Sequence, residues 1–433
     1  MSIPTDIQQI ILEYSDFRTQ LKLINLCRDN YDNLKIKKMN EPNLTQEILY
    51  QKKYDRLEIL NVSGNLKIND VNHLKNSLIE LYCSGNCGID QEGIQDLTKI
   101  EKIDASGNST IIDVNHFASV LIFLDCSYYC GIDQKGIDKL KNIQILNATD
   151  NTKILSVNHL KNTLIELRCG GYCAIDQKGI QDLTKLQILN ATDNTKIKDV
   201  NHLKNVLIKL NCSWFSEIDQ KGINKLTKLQ ILNANMNDKI TNVNHLKDSL
   251  TTLQCSDNSG IDQNGISELK LLRMLNAGSN SKITNVNHLK NTLTILECRN
   301  ECGIDQQGIK DLNVLQKLNA MNNPKIICVN HLKNTLLELA CSCCNVIWND
   351  VCGIDQKGIQ ELKILEKLYV SNNSKINDVN HLKNTLKELY CYYNCGIDQK
   401  GISELVELRI LDCWKNDKIT DVAHLKKIIK INK

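Results

Sequence analysis

Histidine is the residue whose spacing most directly suggests chemistry, because a column of imidazoles can bind metal ions. The 433-residue chain has nine histidines, separated by 43 residues except for one gap of 50: His73, His116, His159, His202, His245, His288, His331, His381 and His424. Each period holds two strands (see below), so neighbouring histidines lie about 10 Å apart, whereas metal–nitrogen bonds measure about 2 Å. The spacing therefore favours histidines that cap or pack a turn, and we predict no metal site.

Two columns of cysteines pose the same question for disulfide and redox chemistry. The first occupies an inward apolar position, where cysteine acts as a small buried hydrophobe: Cys83, Cys126, Cys169, Cys212, Cys255, Cys298, Cys341 and Cys391. The second follows at the turn, forming C-x-x-x-C: Cys87, Cys130, Cys173, Cys302, Cys352 and Cys395. Column neighbours are too far apart for disulfides, which need Cα atoms within about 4.4–6.8 Å; Cys391 and Cys413 are the one pair expected on adjacent strands. We predict nineteen free thiols, with metal or redox chemistry as the alternative near Cys343, Cys344 and Cys352.

No grouping of residues predicts catalysis or a cofactor. The glycines occur once per turn, as in D-Q-K-G-I, and form no phosphate-binding loop. A net charge of +3, from 53 basic and 50 acidic residues, argues against nucleic acid or a polybasic membrane surface as partner. No apolar run approaches the roughly 20 residues of a membrane span, and the acidic N-terminus does not resemble a signal peptide. We therefore expect a non-enzymatic, intracellular protein of the cytoplasm.

The secondary structure that places the histidines and cysteines in columns can be predicted from the 43-residue repeat. Each 43-residue period contains two halves with the pattern L-x-x-L-x-L-x-x-N, which is typical of leucine-rich repeats; Ala or Cys stands at the third apolar position. We count seventeen repeats and the start of another at Ile429. The L-x-L core predicts a short strand, I-D-Q-K-G-I a short helix with Asp at its N-cap, and D-V-N-H-L-K-N a helical or 3₁₀ turn. We predict an α/β leucine-rich-repeat solenoid with a parallel concave sheet over residues 51–433.

The first 50 residues do not follow the repeat pattern. Pro4 can begin a helix, and Ile7, Ile10 and Ile11 follow at helical spacing. A second apolar series leads to Cys-Arg and an aromatic residue: Leu21, Leu23, Cys27, Arg28 and Tyr31. With Ile3 before the proline, this order resembles an F-box, in which Ile3 replaces a leucine and Tyr31 a tryptophan. The alternative is a plain helical cap over the first repeat, and the segment can serve both purposes.

The resemblance implies a function for the whole chain. An F-box joined to leucine-rich repeats is similar to the substrate receptors of SCF ubiquitin ligases, and near-identical repeats rich in Asn, Lys and Ile are similar to F-box/leucine-rich-repeat proteins of giant DNA viruses. It implies that residues 1–50 bind a Skp-family linker of a cullin–RING ligase and that the repeats bind a target protein, in the host cytoplasm if the protein is viral. The alternative is a stand-alone scaffold or inhibitor with no link to ubiquitin.

Residues flanking the inward positions of each strand are expected to face a target. The convex sequences hardly vary between periods, whereas these positions change freely and include Trp, Tyr and Arg, the residue types common in binding hot spots. Our candidates are Tyr82, Phe123, Asp125, Tyr128, Arg168, Trp214, Glu297, Arg299, Tyr390, Tyr392, Tyr393 and Trp414. A seven-residue insertion at 345–351 adds Trp348, which either packs on the rim or contacts a partner. Neutral drift of surface positions is the alternative explanation for this variation.

Overall fold

The computed structural model describes residues 8–9, 11–12, 15, 17–24, 34–343 and 352–432. Nine residues of the sequence predictions lie outside this described part: Ile3, Pro4, Ile7, Ile10, Cys27, Arg28, Tyr31, Cys344 and Trp348. The chain divides into two compact units, Met1–Leu207 and Ile208–Lys433, which we call the first and the second unit.

Both units are leucine-rich-repeat solenoids built on three-residue parallel strands. In the first unit the strands are β1 Lys38–Asn40, β2 Ile59–Asn61, β3 Glu80–Tyr82, β4 Lys102–Asp104, β5 Phe123–Asp125, β6 Ile145–Asn147, β7 Glu166–Arg168 and β8 Ile188–Asn190. In the second unit they are β9 Lys209–Asn211, β10 Ile231–Asn233, β11 Thr252–Gln254, β12 Met274–Asn276, β13 Ile295–Glu297, β14 Lys317–Asn319, β15 Glu338–Ala340, β16 Lys367–Tyr369, β17 Glu388–Tyr390, β18 Ile410–Asp412 and β19 Lys430–Asn432. Within each unit, every strand pairs in register with the next one along the chain.

The predicted strand centres are confirmed from Leu81 to Leu411. The strands also begin earlier in the chain than predicted. Strand β1 lies inside the range 1–50, which we predicted to precede the solenoid as an F-box-like helical domain, and it pairs with β2. The predicted start of the sheet after residue 50 is therefore wrong: Met39 is buried and continues the inward column that Leu60 occupies on β2. Strand β19 forms where the truncated repeat begins.

Short helical turns connect the strands on the opposite side of each repeat. Five of the eight I-D-x-x-G-I halves form the predicted short α-helix, two form 3₁₀ turns instead, and the half that begins at Ile132 forms neither. Among the described residues, the α-helices with defined bounds are α1 Phe17–Ile24, α2 Gln46–Leu49, α3 Gln177–Ile180, α4 Gln220–Ile223, α5 Gln263–Ile266, α6 Gln306–Ile309 and α7 Gln356–Ile359. The 3₁₀ turns are Lys52–Tyr54, Asn72–Leu74, Glu92–Ile94, Asn115–Phe117, Asn158–Leu160, Asn201–Leu203, Asn244–Leu246, Asn287–Leu289, Asn330–Leu332, Asn380–Leu382 and Lys400–Ile402. Asp176 caps α3 by accepting a hydrogen bond from the Gly179 N–H at 2.9 Å, as the sequence predicts.

A buried asparagine holds the turn that leaves every second strand; in the first unit these residues are Asn65, Asn108, Asn151 and Asn194. Asn194 is fully buried, and its amide nitrogen donates to the carbonyl oxygens of Cys169 and Ile175 at 2.7 and 3.3 Å. Its amide oxygen accepts from the backbone N–H groups of Lys196 and Ile197 at 2.9 and 3.1 Å. One side chain thus satisfies four backbone groups that the turn leaves unpaired.

The described part of the N-terminal segment packs against the start of the repeats. Gln9 makes two hydrogen bonds with the backbone of Lys35, one donated and one accepted, each 3.1 Å long. Leu12 and Ile24 are fully buried, whereas Ile11 is 43% exposed and Leu21 and Leu23 are half-buried. This packing is the behaviour expected of a cap. In the described residues, no helix is long and apolar enough to cross a membrane.

Candidate functional site

The strands of the second unit present a continuous polar and aromatic surface. In most of its strands the middle residue is buried and the first and third are half-buried, because successive side chains point to opposite faces. We call the surface formed by the first and third residues, with the residues that follow each strand, the sheet face. It corresponds to the face that the sequence analysis expected to bind a target.

Aromatic rings cluster on the sheet face between β16 and the turn after β18. Tyr369 and Tyr390 stack with ring centroids 4.5 Å apart. Tyr393 makes edge-to-face contacts with Tyr392 at 5.4 Å and with Trp414 at 5.2 Å. The ammonium group of Lys415 lies over the Trp414 ring, 4.2 Å from its centroid. We call the five rings the aromatic patch; it is the type of surface that dominates binding energy at protein interfaces.

Paired charges run beside the aromatic patch along the first strand positions. Lys317 and Glu338 are 3.1 Å apart, and Lys367 and Glu388 are 2.8 Å apart. The Tyr390 hydroxyl donates to Glu388 at 3.2 Å, and partial burial, followed by the Glu388 carboxylate, raises the pKa of Tyr390 to about 12. Because these charged groups are paired with one another, the aromatic patch is the main feature of this region that a partner could contact.

A depression of about 400 Å³ lies next to the aromatic patch. Its lining consists of apolar groups with a few charged side chains: Met274, Ile295, Leu296, Glu297, Lys317, Leu318, Asn319, Met321, Glu338, Ala340 and Tyr369. Ala340 is the smallest side chain at the third strand position in this unit, between Asn319 and Tyr369. The depression is therefore open because a large side chain is missing at one strand position.

The predicted target-binding residues fall into separate groups. Tyr390, Tyr392, Tyr393 and Trp414 come together in the aromatic patch, and Glu297 lines the depression. Arg299 and Trp214 belong to the second unit but not to the patch; Trp214 lies in a turn, with φ of 62°. The first unit contains Tyr82, Phe123, Asp125, Tyr128 and Arg168.

Those first-unit residues are mostly engaged with their own neighbours. Arg168 pairs with Glu166 at 2.7 Å, and the Tyr82 hydroxyl donates to Glu80 at 2.9 Å. Tyr128 lies in the turn after β5, with φ of 61°, and is 56% exposed. Phe123 is half-buried at the first position of β5.

Of the residues that line the depression, sequence reasoning predicted only Glu297; those it missed include Tyr369, Met274, Met321, Ala340, Lys317 and Glu338. Each 43-residue period holds one Cys-type repeat, with Cys at the third apolar position, and one Ala-type repeat, which mostly has Ala there. Tyr369 was overlooked because it lies in an Ala-type repeat, whereas the candidates came almost entirely from the Cys-type repeats. Its strand position is equivalent to that of Tyr390, with which it pairs in register. Tyr369 would have been found if the outward-facing strand positions of both repeat types had been considered.

The histidine and cysteine columns are structural elements of the repeats. From His116 onward, each histidine Nε2 is hydrogen-bonded to the carbonyl oxygen of an isoleucine in the preceding turn, at 2.9–3.2 Å. No group of three His, Cys, Asp or Glu side chains in the described ranges is arranged to hold a metal ion. The described cysteines are free thiols, and burial raises the pKa of most of them, for example Cys173 to about 11.

Comparisons with known proteins establish the fold class. No protein-family model matches the sequence, and no curated protein is significantly similar to it. The structure is similar to that of a TLR13–ssRNA13 complex, with a TM-score of 0.56 and 17% identity over 93% of this chain and 75% of that chain.

Two further structures are similar. A leucine-rich-repeat protein of Leptospira interrogans has a TM-score of 0.48 and 20% identity over 86% of this chain and all of that chain (100%). The functional domain of InlJ from Listeria monocytogenes, which includes a cysteine ladder, has a TM-score of 0.46 and 23% identity over 79% of this chain and 75% of that chain. The similarity with a TM-score of 0.56, at 17% identity, shows the leucine-rich-repeat fold alone.

Proposed function

We propose that this chain is a protein-interaction scaffold that holds a target protein on the sheet face of its second unit. The aromatic patch is the observation that carries the proposal. Four of its rings, Tyr390, Tyr392, Tyr393 and Trp414, contact neighbouring rings while remaining accessible, with Tyr393 and Trp414 each 38% exposed. Rings already held in place lose little conformational entropy when a partner covers them. The scaffold performs no bond chemistry and needs no cofactor; it positions its target.

The test begins with a pull-down that uses the full chain to capture partners from cell extracts. The affinity of each purified partner for the full chain is then measured. We expect Tyr390→Ala and Trp414→Ala to weaken binding at least about tenfold each, as hot-spot truncation does. The matched control is Tyr172→Ala, which removes an 83%-exposed ring in the first unit. A partner that all three variants bind as well as the wild type would contradict the proposal.

A second candidate function adds a ubiquitin-ligase role to the scaffold. We propose that residues 1–50 bind a Skp-family linker and that the chain is the target receptor of an SCF-type cullin–RING ligase in the cytoplasm. The order of F-box-like residues supports it, and so does the exposure of Ile11 on a segment whose Leu12 and Ile24 are buried. Such a segment can cap the repeats with one face and bind a linker with the other.

A double substitution separates this role from capping. Replacing Pro4 and Ile7 with glutamate should abolish binding of a purified Skp-family linker and leave the melting transition of the repeats unchanged. Retained linker binding would show that the segment is not an F-box. Loss of the melting transition together with binding would show that the segment acts chiefly as a cap, and would favour the stand-alone scaffold.

A further inference from the structure

The base of the insertion at 345–351 carries a cysteine that the other periods lack. Cys343 follows Cys341 by two residues, and Cys352 is the first described residue after the insertion. In the other Cys-type repeats the position of Cys343 is occupied by Gly85, Tyr128, Gly171, Trp214, Asp257, Asn300 and Tyr393. The period with the insertion is therefore also the period with a cysteine at this position. We call Cys343 and Cys352 the neck pair.

Both members of the neck pair keep the positions of an uninterrupted repeat. The Cys343 N–H donates to a carbonyl oxygen of the next repeat at 2.9 Å, and the equivalent Tyr393 N–H does the same at 2.9 Å. A lysine ammonium group donates to the Cys352 carbonyl oxygen at 3.0 Å and, in the next period, to that of Cys395 at 2.9 Å. Tyr393 and Cys395 are two residues apart, and two residues span at most about 7 Å. The Cα atoms of the neck pair are therefore within a distance that overlaps the range of about 4.4–6.8 Å found in disulfides.

The sulfur of Cys343 already contacts the backbone of Cys352. Cys343 Sγ accepts a hydrogen bond from the Cys352 N–H at 3.3 Å. The Cys352 thiol donates to the Ala320 carbonyl oxygen at 3.6 Å, and rotation about its Cα–Cβ bond releases it from this contact. A sulfur–sulfur bond within the neck pair therefore needs a side-chain rotation rather than a rearrangement of the repeat.

Solvent reaches the neck pair at Cys343. Of the seventeen described cysteines, Cys328 and Cys343 are half-buried and the other fifteen are buried. In the other C-x-x-x-C pairs both thiols are buried, so their proximity does not expose them to a reagent. Cys343 thus combines solvent access with contact to a second cysteine.

The second thiol of the neck pair is a better nucleophile than its equivalents in most other periods. A hydrogen bond with the Cys341 thiol lowers the pKa of Cys352, and the charge of Lys375 acts in the same direction. At the equivalent position, burial raises the pKa of Cys302 to about 11. A larger thiolate fraction favours attack by Cys352 on an oxidised sulfur.

We propose that the neck pair is a reversible oxidation site for hydroperoxides, closed by a disulfide bond between Cys343 and Cys352. The Cys343 thiolate attacks the O–O bond; an S–O bond forms, the O–O bond breaks, and the leaving oxygen takes the proton that the thiol released. The Cys352 thiolate then attacks the resulting sulfenic acid, an S–S bond forms, and the sulfenic oxygen leaves as water with the second thiol proton. Two thiols are oxidised and one peroxide is reduced, so no further reactant is needed. A dithiol reductant reverses the change.

Mass spectrometry of the full chain tests the proposal, which does not depend on the protein-binding function of the sheet face. The reduced protein is treated with hydrogen peroxide, and remaining thiols are alkylated in denaturant before digestion with trypsin and chymotrypsin. Cleavage after Trp348 separates the two members of the neck pair. We expect the fragment containing Cys343 to be linked to the fragment containing Cys352, and dithiothreitol to remove the link. The internal control is Cys395, which has Tyr393 in place of the first thiol and should be alkylated.

Single substitutions identify the thiols that react. Cys343→Ser should lower the linked fraction at least about tenfold, because the accessible thiol is lost. Its matched control is Cys344→Ser, which changes the adjacent cysteine and should leave the linked fraction unchanged. Cys352→Ser should also remove the link; serine is accommodated at this position, since Ser216 and Ser259 occupy it, buried, in two other periods. Unchanged melting curves would show that the variants remain folded.

Four results would overturn the inference. The first is a bond that joins Cys352 to Cys341, or one between the adjacent Cys343 and Cys344. The second is an undiminished link in the Cys343→Ser variant. The third is accumulation of sulfinic acid at Cys343 while Cys352 remains a thiol, and the fourth is no oxidation of either member of the neck pair.

Discussion

The rings of Tyr369 and Tyr390 stack across the neighbouring strands β16 and β17, with centroids 4.5 Å apart and planes 7° from parallel. The two residues are 21 positions apart in the chain and belong to the two different repeat types. Register between adjacent repeats places both at the third strand position, where side chains face outward. The stack therefore follows from the repeat geometry and gives the sheet face a rigid aromatic centre.

The stacked pair should be energetically coupled in target binding. Tyr369→Ala and Tyr390→Ala should each weaken binding, and the double variant should lose less than the sum, with a coupling energy of about 0.5–1.5 kcal/mol for an aromatic pair. Affinities of the purified target for the four proteins provide the measurement. Strict additivity would show that the rings bind independently and that their stacking is irrelevant to recognition.

The buried Asn194 should stabilise the turn around it, because it makes hydrogen bonds with four backbone groups. Asn194→Ala leaves them unpaired and should cost about 1–3 kcal/mol or more in local stability. Long repeat arrays need not unfold in one step, so hydrogen exchange is a better measurement than a single melting temperature. Amides of Lys196 and Ile197 should exchange faster.

The control for this prediction is Asn205→Ala, which changes an exposed asparagine of the same unit. Its exchange pattern should match that of the wild type. Equal protection in both variants would mean that water or a rearranged turn replaces the Asn194 amide at no cost.

Much of the fold was predictable because every repeat has the same strand and turn, formed by the same pattern of buried residues. The L-x-x-L-x-L pattern predicted each strand centre from Leu81 to Leu411, and the Asp before each Q-x-G-I predicted the helix caps. Strand β1 was not predictable in this way. Ile36 and Met39 keep the L-x-x-L spacing, but Glu41 and Leu44 stand where the repeat has its third apolar residue and its Asn, so only pairing with β2 identifies the segment as a strand.

The site was harder to predict than the fold. Tyr390 and Trp414 stand out in the sequence because aromatic residues make up only 4% of this chain. The depression does not stand out in the sequence, because it depends on the small size of the side chain at Ala340. Recognising it requires the register of Ala340 with Tyr369, which lies 29 positions later because the insertion intervenes. The ion pair between Lys317 and Glu338 likewise depends on contacts between different repeats.

The histidine column should make the protein less stable in mild acid. Burial lowers the pKa of His245 below its ordinary value of 6.5, and its Nε2 lies 3.0 Å from the Ile223 carbonyl oxygen. Below pH 6.5 the unfolded chain takes up protons that the folded chain resists, so stability falls as the pH decreases and is fully retained above pH 6.5. Denaturant midpoints measured between about pH 7.5 and pH 5.5 should decrease, a range set around the histidine pKa.

A glutamine at this position provides the matched comparison, because it can donate a similar hydrogen bond and does not titrate. His245→Gln should reduce the dependence of unfolding free energy on pH by at most about 1.4 kcal/mol per pH unit, the share of one proton. A midpoint that stays constant or rises on acidification would show that the histidines do not behave as buried neutral groups.

The buried thiols should react slowly in the native protein. Burial raises the pKa of Cys130 and Cys173 to about 11, so the reactive thiolate is scarce at pH values where alkylating reagents are used. Iodoacetamide should modify the half-buried Cys328 well before Cys173, as measured by mass spectrometry of digested samples. After denaturation without a reductant, all nineteen cysteines should be alkylated. A missing pair of modifications would reveal a disulfide and contradict the free-thiol prediction.

Deleting residues 345–351 should preserve the fold, because the described flanks already make the contacts of an uninterrupted repeat. The Gly353 N–H donates to the Asn323 carbonyl oxygen at 3.0 Å, and Gly396, in a repeat without an insertion, makes the equivalent bond to Asn373, also at 3.0 Å. The deletion restores the 43-residue period, so its melting curve should match the wild type. If Trp348 contacts the target, capture of the target should fall, as it should for Trp348→Ala alone. Wild-type capture by both variants would show that the insertion is neutral.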